Sequence, residues 1–266
     1  MDENTRSYLE AAVEAARIGG GVLRDYARRQ APVSIDLKGL NDYVTEVDRT
    51  SERAIVGYLN GRFPDHSILA EESNGQAKDA APFQWYVDPL DGTTNFIHGV
   101  PIYAVSVGLR VAGKMSVGAV YDPVRDEMFH AVAGGGSYVN DVKIKVTARE
   151  SLKGALLATG FPFRAHNRLK EYLRSFETFI LETAGVRRAG SATLDLCYTA
   201  CGRYDGFWEM SLSPWDIAAG SLIVREAGGM VSDFLGKDGY MKSGNVVAAN
   251  LRIHSSMLEI IRHTMV

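Results

Sequence analysis

Residues 85–94 read WYVDPLDGTT, with Asp88 and Asp91 either side of Pro89 and Leu90, followed by Gly92, Thr93 and Thr94. A turn needs one acid and one glycine, so the second acid asks for chemistry. Pro89 cannot donate to a continued ladder; a strand ending at Asp88 and a helical turn after it put both carboxylates on one side. The amides of Gly92, Thr93 and Thr94 then open a turn or helix, a place suited to an anion such as phosphate. Upstream, SILAEES delivers Glu71 at the end of a neighbouring strand. Two carboxylates about 5 Å apart repel by roughly 3 kcal/mol at an effective dielectric near 20, and Glu71 adds to that. A hard divalent cation removes the penalty. Oxygen-only ligands that leave coordination positions for water and phosphate describe magnesium. Taken alone, however, DPLDG is better read as a plain turn.

The elements that must position these acids are legible in the periodicity. Leu9, Ala12, Val13, Ala16, Gly20 and Leu23 recur at helical spacing. Val47, Ala54, Ile55, Tyr58 and Leu59 mark a second helix, closed by Asn60 and Gly61. SILAEES and FQWYVDP read as buried strands running out into acids, and IYAVSVGLRV, MSVGAVYDP and EMFHAVAGGGSYVN as a meander with turns at Gly113-Lys114 and Asp122-Pro123. After about residue 150 the units alternate: strand ALLATG, helix RLKEYLRSFETFILETAG, helix SATLDLCYTACG, strand YDGFWEM, helix WDIAAGSLIVREAGG, strand NVVAAN and a terminal helix. Layered helices and sheets are expected, in two tightly packed halves, 1–150 and 151–266.

Composition removes several classes of function. The chain has 266 residues, 46% hydrophobic and 23% charged, which places it among globular proteins with ample core material. A net charge of -3 offers no basic field for nucleic acid. The polar start MDENTRSYLE and the absence of a long uncharged apolar run point to a soluble cytoplasmic protein. Cys197 and Cys201 read as small residues on one helical face, and the six histidines show no ligand spacing for zinc. GGGSYVN leads into another strand and reads as a hairpin, not a phosphate loop; IGGGVL lies inside a helix, where small residues permit close packing.

The ordered set AEES, VDPLDGTTNFIHG and WDIAAG, with DYVTEVD upstream, RRAGSATLDL before the last acid and REAGGMVSDF after it, resembles the inositol monophosphatase family of magnesium-dependent, lithium-sensitive phosphatases. The resemblance spans nearly the whole chain, and TGFPFR and SPWD bring it nearest the bacterial SuhB-type branch. It implies the layered α-β-α-β-α sandwich of the inositol monophosphatase and fructose-bisphosphatase superfamily, and a homodimer. It implies two or three Mg²⁺ held by Glu71, Asp88, the Leu90 carbonyl, Asp91 and Asp216, with Glu71 also catalytic. Gly92 and Thr93 are to hold phosphate, and Asp48 is to pair with the Thr93 hydroxyl and orient the attacking water. The substrate alcohol is to meet Asp91, Gly190, Ser191, Ala192 and Glu209, and Lys38 lies on a loop near the metals. Without the resemblance, Asp48 reads as a helix cap and Glu209 as a solvated acid.

The implied reaction is hydrolysis of a sugar-alcohol phosphate monoester, inositol 1-monophosphate first, by metal-activated water without a phosphoenzyme. Fructose bisphosphate, histidinol phosphate and phosphoadenosine phosphate are alternative substrates within the family. The haloacid-dehalogenase phosphatases are a rival class, but their nucleophile loop spaces its acids Asp-x-Asp, where this chain has Asp-x-x-Asp. A binding role is a further alternative, because some SuhB-type proteins associate with the transcription machinery.

Overall fold

The computed structural model describes residues 2–29, 35–39, 42–73, 81–162 and 165–265. Helix α1 (Glu3–Arg29) leads into a hairpin of β1 (Ile35–Gly39) and β2 (Asp42–Thr45), then helix α2 (Glu46–Arg62). Asn60 and Gly61 do not close α2; it runs on to Arg62, and the Phe63 amide caps it through the Leu59 carbonyl. Strands β3 (Ser67–Ala70) and β4 (Phe83–Asp91) precede the short helix α3 (Thr93–Ile97). The meander follows as β5 (Ala104–Val111), β6 (Lys114–Asp122), β7 (Glu127–Val132), β8 (Gly136–Val139) and β9 (Val142–Ile144). Strands β3 to β9 form one sheet in sequence order, antiparallel except for the β3/β4 pair.

The remaining chain builds a second sheet. Strand β10 (Leu156–Thr159), helix α4 (Leu169–Glu182), β11 (Gly185–Arg187) and α5 (Ala192–Ala200) are followed by β12 (Gly206–Glu209) and α6 (Pro214–Glu226). Then come β13 (Met230–Ser232), α7 (Tyr240–Ser243), β14 (Val246–Ala249) and α8 (Leu251–Met265). The sheet order is β11-β10-β12-β14-β13. Strands β9, β11 and β13 and helix α7 are too short for a periodic signal and were not expected.

Three apolar clusters set the layers. Ala12, Ala16, Ile55 and Leu59 of α1 and α2 pack with Val105, Val107 and Ala119 on one face of the first sheet. On its other face, Val120 and Phe129 meet Leu196 of α5 and Ile217 and Ile223 of α6, which also meet Phe207 and Ala248 of the second sheet. Trp208, Val247 and Ala249, the alternate residues of the same strands, pack against Phe179 of α4 and Ile253 and Met257 of α8. This period-two division puts a helix layer outside each sheet and one between them, giving the α-β-α-β-α sandwich. Two of the three glycines of IGGGVL permit close packing, as expected: a Cβ on Gly19 would lie 2.7 Å from Ile55 Cδ1 and one on Gly20 2.3 Å from the Tyr121 ring, whereas one on Gly21 would meet nothing within 4 Å.

Candidate active site

Strand β4 carries both aspartates of the DPLD run. The structure corrects the expectation that the strand stops at Asp88: β4 continues through Pro89 to Asp91. Asp88 faces Ser106 of β5 and Asp91 faces Ala104, so three steps on β4 match two on β5. The extra residue is a bulge at the proline, which has no N–H for the ladder. Regular alternation would send residues 88 and 91 to opposite faces; the bulge returns both to one cavity. Ser51 Oγ of α2 donates to the Pro89 carbonyl at 2.9 Å, and the Leu90 amide donates to Asp88 Oδ1 at 3.0 Å.

The other groups arrive from separate elements. Glu71 follows β3, its amide donating to the Val87 carbonyl at 3.2 Å. Gly92 caps α3 with φ +97°, and a Cβ there would lie 2.9 Å from the Ile102 carbonyl oxygen. Thr93 Oγ1 donates to Asp48 Oδ1 at 2.9 Å and to the Leu90 carbonyl at 3.1 Å. Asp48, at the third position of α2, is fully buried and also accepts from the Thr45 amide at 2.8 Å and the Thr45 hydroxyl at 2.5 Å. The helix-cap and Thr93-pairing readings of Asp48 therefore coexist in one side chain.

Asp91 ties the first half of the chain to the second. Its Oδ2 accepts from Ser191 Oγ at 2.6 Å and from the Thr193 amide at 2.7 Å, at the start of α5. Asn95 Nδ2 reinforces the junction by donating to the Ala189 carbonyl at 2.9 Å. Asp216 opens α6 in a capping box with Ser213, its Oδ2 accepting from the Ser213 amide at 2.8 Å. Glu209 ends β12, and the chain folds back to Asp216 through Ser211, at φ +63°, and Leu212, whose amide donates to the Gly244 carbonyl at 2.9 Å. A Cβ on Gly160 would lie 2.0 Å from Glu209 Oε1, so the Glu209 carboxylate rests on the backbone of Gly160.

These residues surround a cavity of about 380 Å³. Glu71, Asp88, Leu90, Asp91, Gly92, Thr93 and Asp216 line it, and so do Gly190, Ser191, Ala192, Glu209, Arg188 and Asp195. Lys38 sits in β1, not on a loop, and its side chain lies outside the described residues. Glu72 turns its amide to Glu52 Oε2 at 2.7 Å.

Charge crowding marks the acids of this cavity. Burial pushes Asp88 well above the usual carboxylate range, and Glu71, Asp91 and Asp216 push it further, against the Leu90 amide. Burial also raises Asp91, opposed by its bonds from Ser191 and Thr193, and raises Asp48, opposed by Thr45 and Thr93. Among the described residues no three acids or imidazoles already converge on a common ligand point. The donor set is nevertheless all oxygen and acidic, supplied by the end of β3, by β4 and by α6 around one void, which fits a hard divalent cation.

Glu52, Arg188 and Asp195 escaped the sequence reading. Glu52 occupies the buried stripe of α2, and Asp195 stands in the fully buried helix ATLDLCYTA. The available signal was an acid where periodicity demands an apolar residue.

Comparison with known proteins identifies the family. The pattern that defines the inositol monophosphatase family matches residues 4–265. The Nus factor SuhB of Pseudomonas aeruginosa is 46% identical over 258 residues, covering 96% of this chain and 95% of that one. The crystal structure of the extragenic suppressor protein SuhB from Bartonella henselae superposes with a TM-score of 0.91 at 40% identity, covering 96% and 98% of the two chains. The inositol monophosphatase of Anabaena superposes with a TM-score of 0.88 at 37% identity, covering 98% and 97%. Sequence and fold agree over nearly the whole length, and the chain belongs to the inositol monophosphatase family.

Proposed function

We propose that this protein hydrolyses a small sugar-alcohol phosphate monoester, inositol 1-monophosphate first among the candidates, with magnesium as cofactor. The observation that carries the reading is the convergence of Glu71, Asp88, Asp91 and Asp216 on one cavity beside the Thr93–Asp48 pair. Glu71, Asp88, the Leu90 carbonyl, Asp91 and Asp216 would hold two or three Mg²⁺. When bound, the metal supplies positive charge to the attacking and leaving oxygens. The amides of Gly92 and Thr93 hold the phosphate. Thr93 Oγ1, its own proton directed at Asp48 and Leu90, turns a lone pair toward the attacking water and orients it. Asp48, buried and raised in pKa, is poised to take up a proton through that hydroxyl. Asp91, Gly190, Ser191, Ala192 and Glu209 receive the alcohol. In this reading residues 1–150 and 151–266 work as one catalytic unit, because Asp91 is bonded across to Ser191 and Thr193.

The test is phosphate release from inositol 1-phosphate, fructose bisphosphate, histidinol phosphate and phosphoadenosine phosphate, with magnesium or with chelator. Inositol phosphate turnover is expected only with magnesium, and it collapses in Asp91→Asn. In Glu209→Gln, kcat/KM is expected to fall roughly tenfold for inositol phosphate, through loss of a bond to a charged group. Full turnover in chelator rejects the metal assignment, and a preference for another ester replaces the substrate. The name of the Pseudomonas relative, a Nus factor, supports a second reading, association with the transcription machinery; in either reading we take the protein to be a cytoplasmic homodimer. Copurification with RNA polymerase, undiminished in Asp91→Asn, tests that role apart from catalysis.

A further inference from the structure

We propose that Asp195 is a further specificity-determining residue, whose carboxyl lines the cavity and takes a second substrate hydroxyl beside the one received by Glu209. The ester in question rests on the phosphatase reading above; the hydroxyl site does not.

Asp195 is 1% exposed and lines the cavity, yet its Oδ1 is buried with no hydrogen-bond partner among the described residues. It stands one helical turn beyond Ser191, its amide donating to the Ser191 carbonyl at 3.0 Å, so it shares the helix face that Ser191 and Ala192 present to the cavity. Its polar neighbours on α5 are accounted for: Thr193 Oγ1 donates to the Asp216 carbonyl at 3.4 Å and Thr199 Oγ1 to the Asp195 carbonyl at 2.8 Å. The other side chains of the helix are buried, and an apolar residue would pack there at no electrostatic cost. Burial raises Asp195 well above the usual carboxylate range, Glu209 and Asp91 raise it further, and Arg188 opposes them. Arg188 lines the same cavity, its guanidinium 5.1 Å from the centre of the Phe161 ring.

A buried polar atom without a partner destabilises the fold unless a ligand completes it. Asp195 shares the cavity lining with a second acid, Glu209, and a guanidinium, Arg188, and the charges of both act on it. A hydroxyl answers each of these, since it donates to a carboxylate and accepts from Arg188. Two acids side by side ask for two hydroxyls, which selects a polyol phosphate over an ester with a bare alkyl or aryl group. A site built to bond hydroxyls rejects analogues that lack them.

The experiment compares wild type, Asp195→Asn and Asp195→Leu. Calorimetry measures binding of free myo-inositol in magnesium and inorganic phosphate; kinetics compares inositol 1-phosphate with phenyl phosphate; thermal melts report folding. Asp195→Leu is expected to melt at or above wild type and to bind inositol roughly tenfold more weakly. Its kcat/KM should fall by a similar factor for inositol phosphate only, with phenyl phosphate nearly unchanged. Asp195→Asn, nearly isosteric and still able to meet a hydroxyl, should fall between, and it carries the comparison should the leucine variant not fold. Unchanged inositol binding in the variants overturns the proposal, as does a wild type that binds no inositol. Equal losses on both esters with a lowered melting point make Asp195 a structural acid and also overturn it. A preference for an amino-alcohol phosphate that Asp195→Asn abolishes replaces the hydroxyl with a cation. Inositol binding that depends on Asp195 in a protein that hydrolyses no monoester upholds the site and rejects the phosphatase reading.

Discussion

Replacing Thr93 by valine tests the water-orienting pair most directly, because the side chain keeps its branched shape and loses only the hydroxyl. That hydroxyl lies 2.9 Å from Asp48 Oδ1, while both Thr45 bonds go to Oδ2. A hydrogen bond to a charged group is worth about 1.5–3 kcal/mol. If it is realised in the transition state, its loss lowers kcat roughly 10- to 150-fold with KM little changed. The bond also helps to satisfy a carboxylate that is fully buried. Losing it costs about 1–3 kcal/mol of stability, or about 2–12 °C in melting temperature for a chain of this size. The pH profile supplies an independent sign. Burial raises the Asp48 pKa and the Thr93 bond draws it down, so Thr93→Val moves the acid limb of kcat to higher pH. Thr93→Ser, which keeps the hydroxyl, should stay within a few-fold of wild type. The assay is steady-state phosphate release across pH at saturating inositol phosphate and magnesium, with thermal melts alongside. A valine variant that loses only KM makes Thr93 a phosphate anchor. A serine variant as impaired as valine, or an acid limb that stays in place, refutes the proton path.

In chelator, Asp88→Asn should raise the melting temperature at neutral pH while abolishing magnesium-dependent turnover. Because the folded pKa of Asp88 lies above its ordinary value, the ionised acid destabilises above that folded pKa. The stability gap between variant and wild type should therefore narrow as pH falls through it, and a gap that widens toward acid, read by calorimetry, contradicts the crowding account. Acid-quenched reactions with labelled substrate should leave Asp88 and Asp91 unlabelled; a stable acyl phosphate on either transfers the mechanism to a covalent class. Gly20→Ala should lower stability by about 1–3 kcal/mol, as overpacking does. The new Cβ meets a Tyr121 ring that is held by hydrogen bonds from its hydroxyl to Asp126 and from Arg24 to its oxygen, and an unchanged denaturation midpoint would show that the ring yields.

Local pattern was enough for much of this protein. The long helices α1, α2, α4, α5, α6 and α8 announce themselves by period, or by length and capping residues, and the meander by alternating runs between glycine turns. The acids of DPLDG and Glu71 drew attention as one acid more than a turn needs, but by itself the run reads as a turn, and the ordered set AEES, VDPLDGTTNFIHG and WDIAAG is what points them to a cation. What local pattern could not decide is direction across a bulge. Pro89 signalled an interruption, but whether the strand stops or adds a residue depends on β5, which supplies the register against Ser106 and Ala104. The strands β9, β11 and β13 are three residues each and exist only through pairing with a neighbour. Glu209 and Asp195 share the cavity because β12 and α5 pack face to face, not because of any spacing between them. Asp195 is the clearest case: in sequence it is one charge in an apolar helix, and only the packing of Glu209, Arg188 and Asp91 around it makes its unpartnered oxygen a candidate for chemistry. Short-range order follows from the chain's own periodicity, whereas a site assembled from distant segments is set by how the layers close, a property that no window of residues contains.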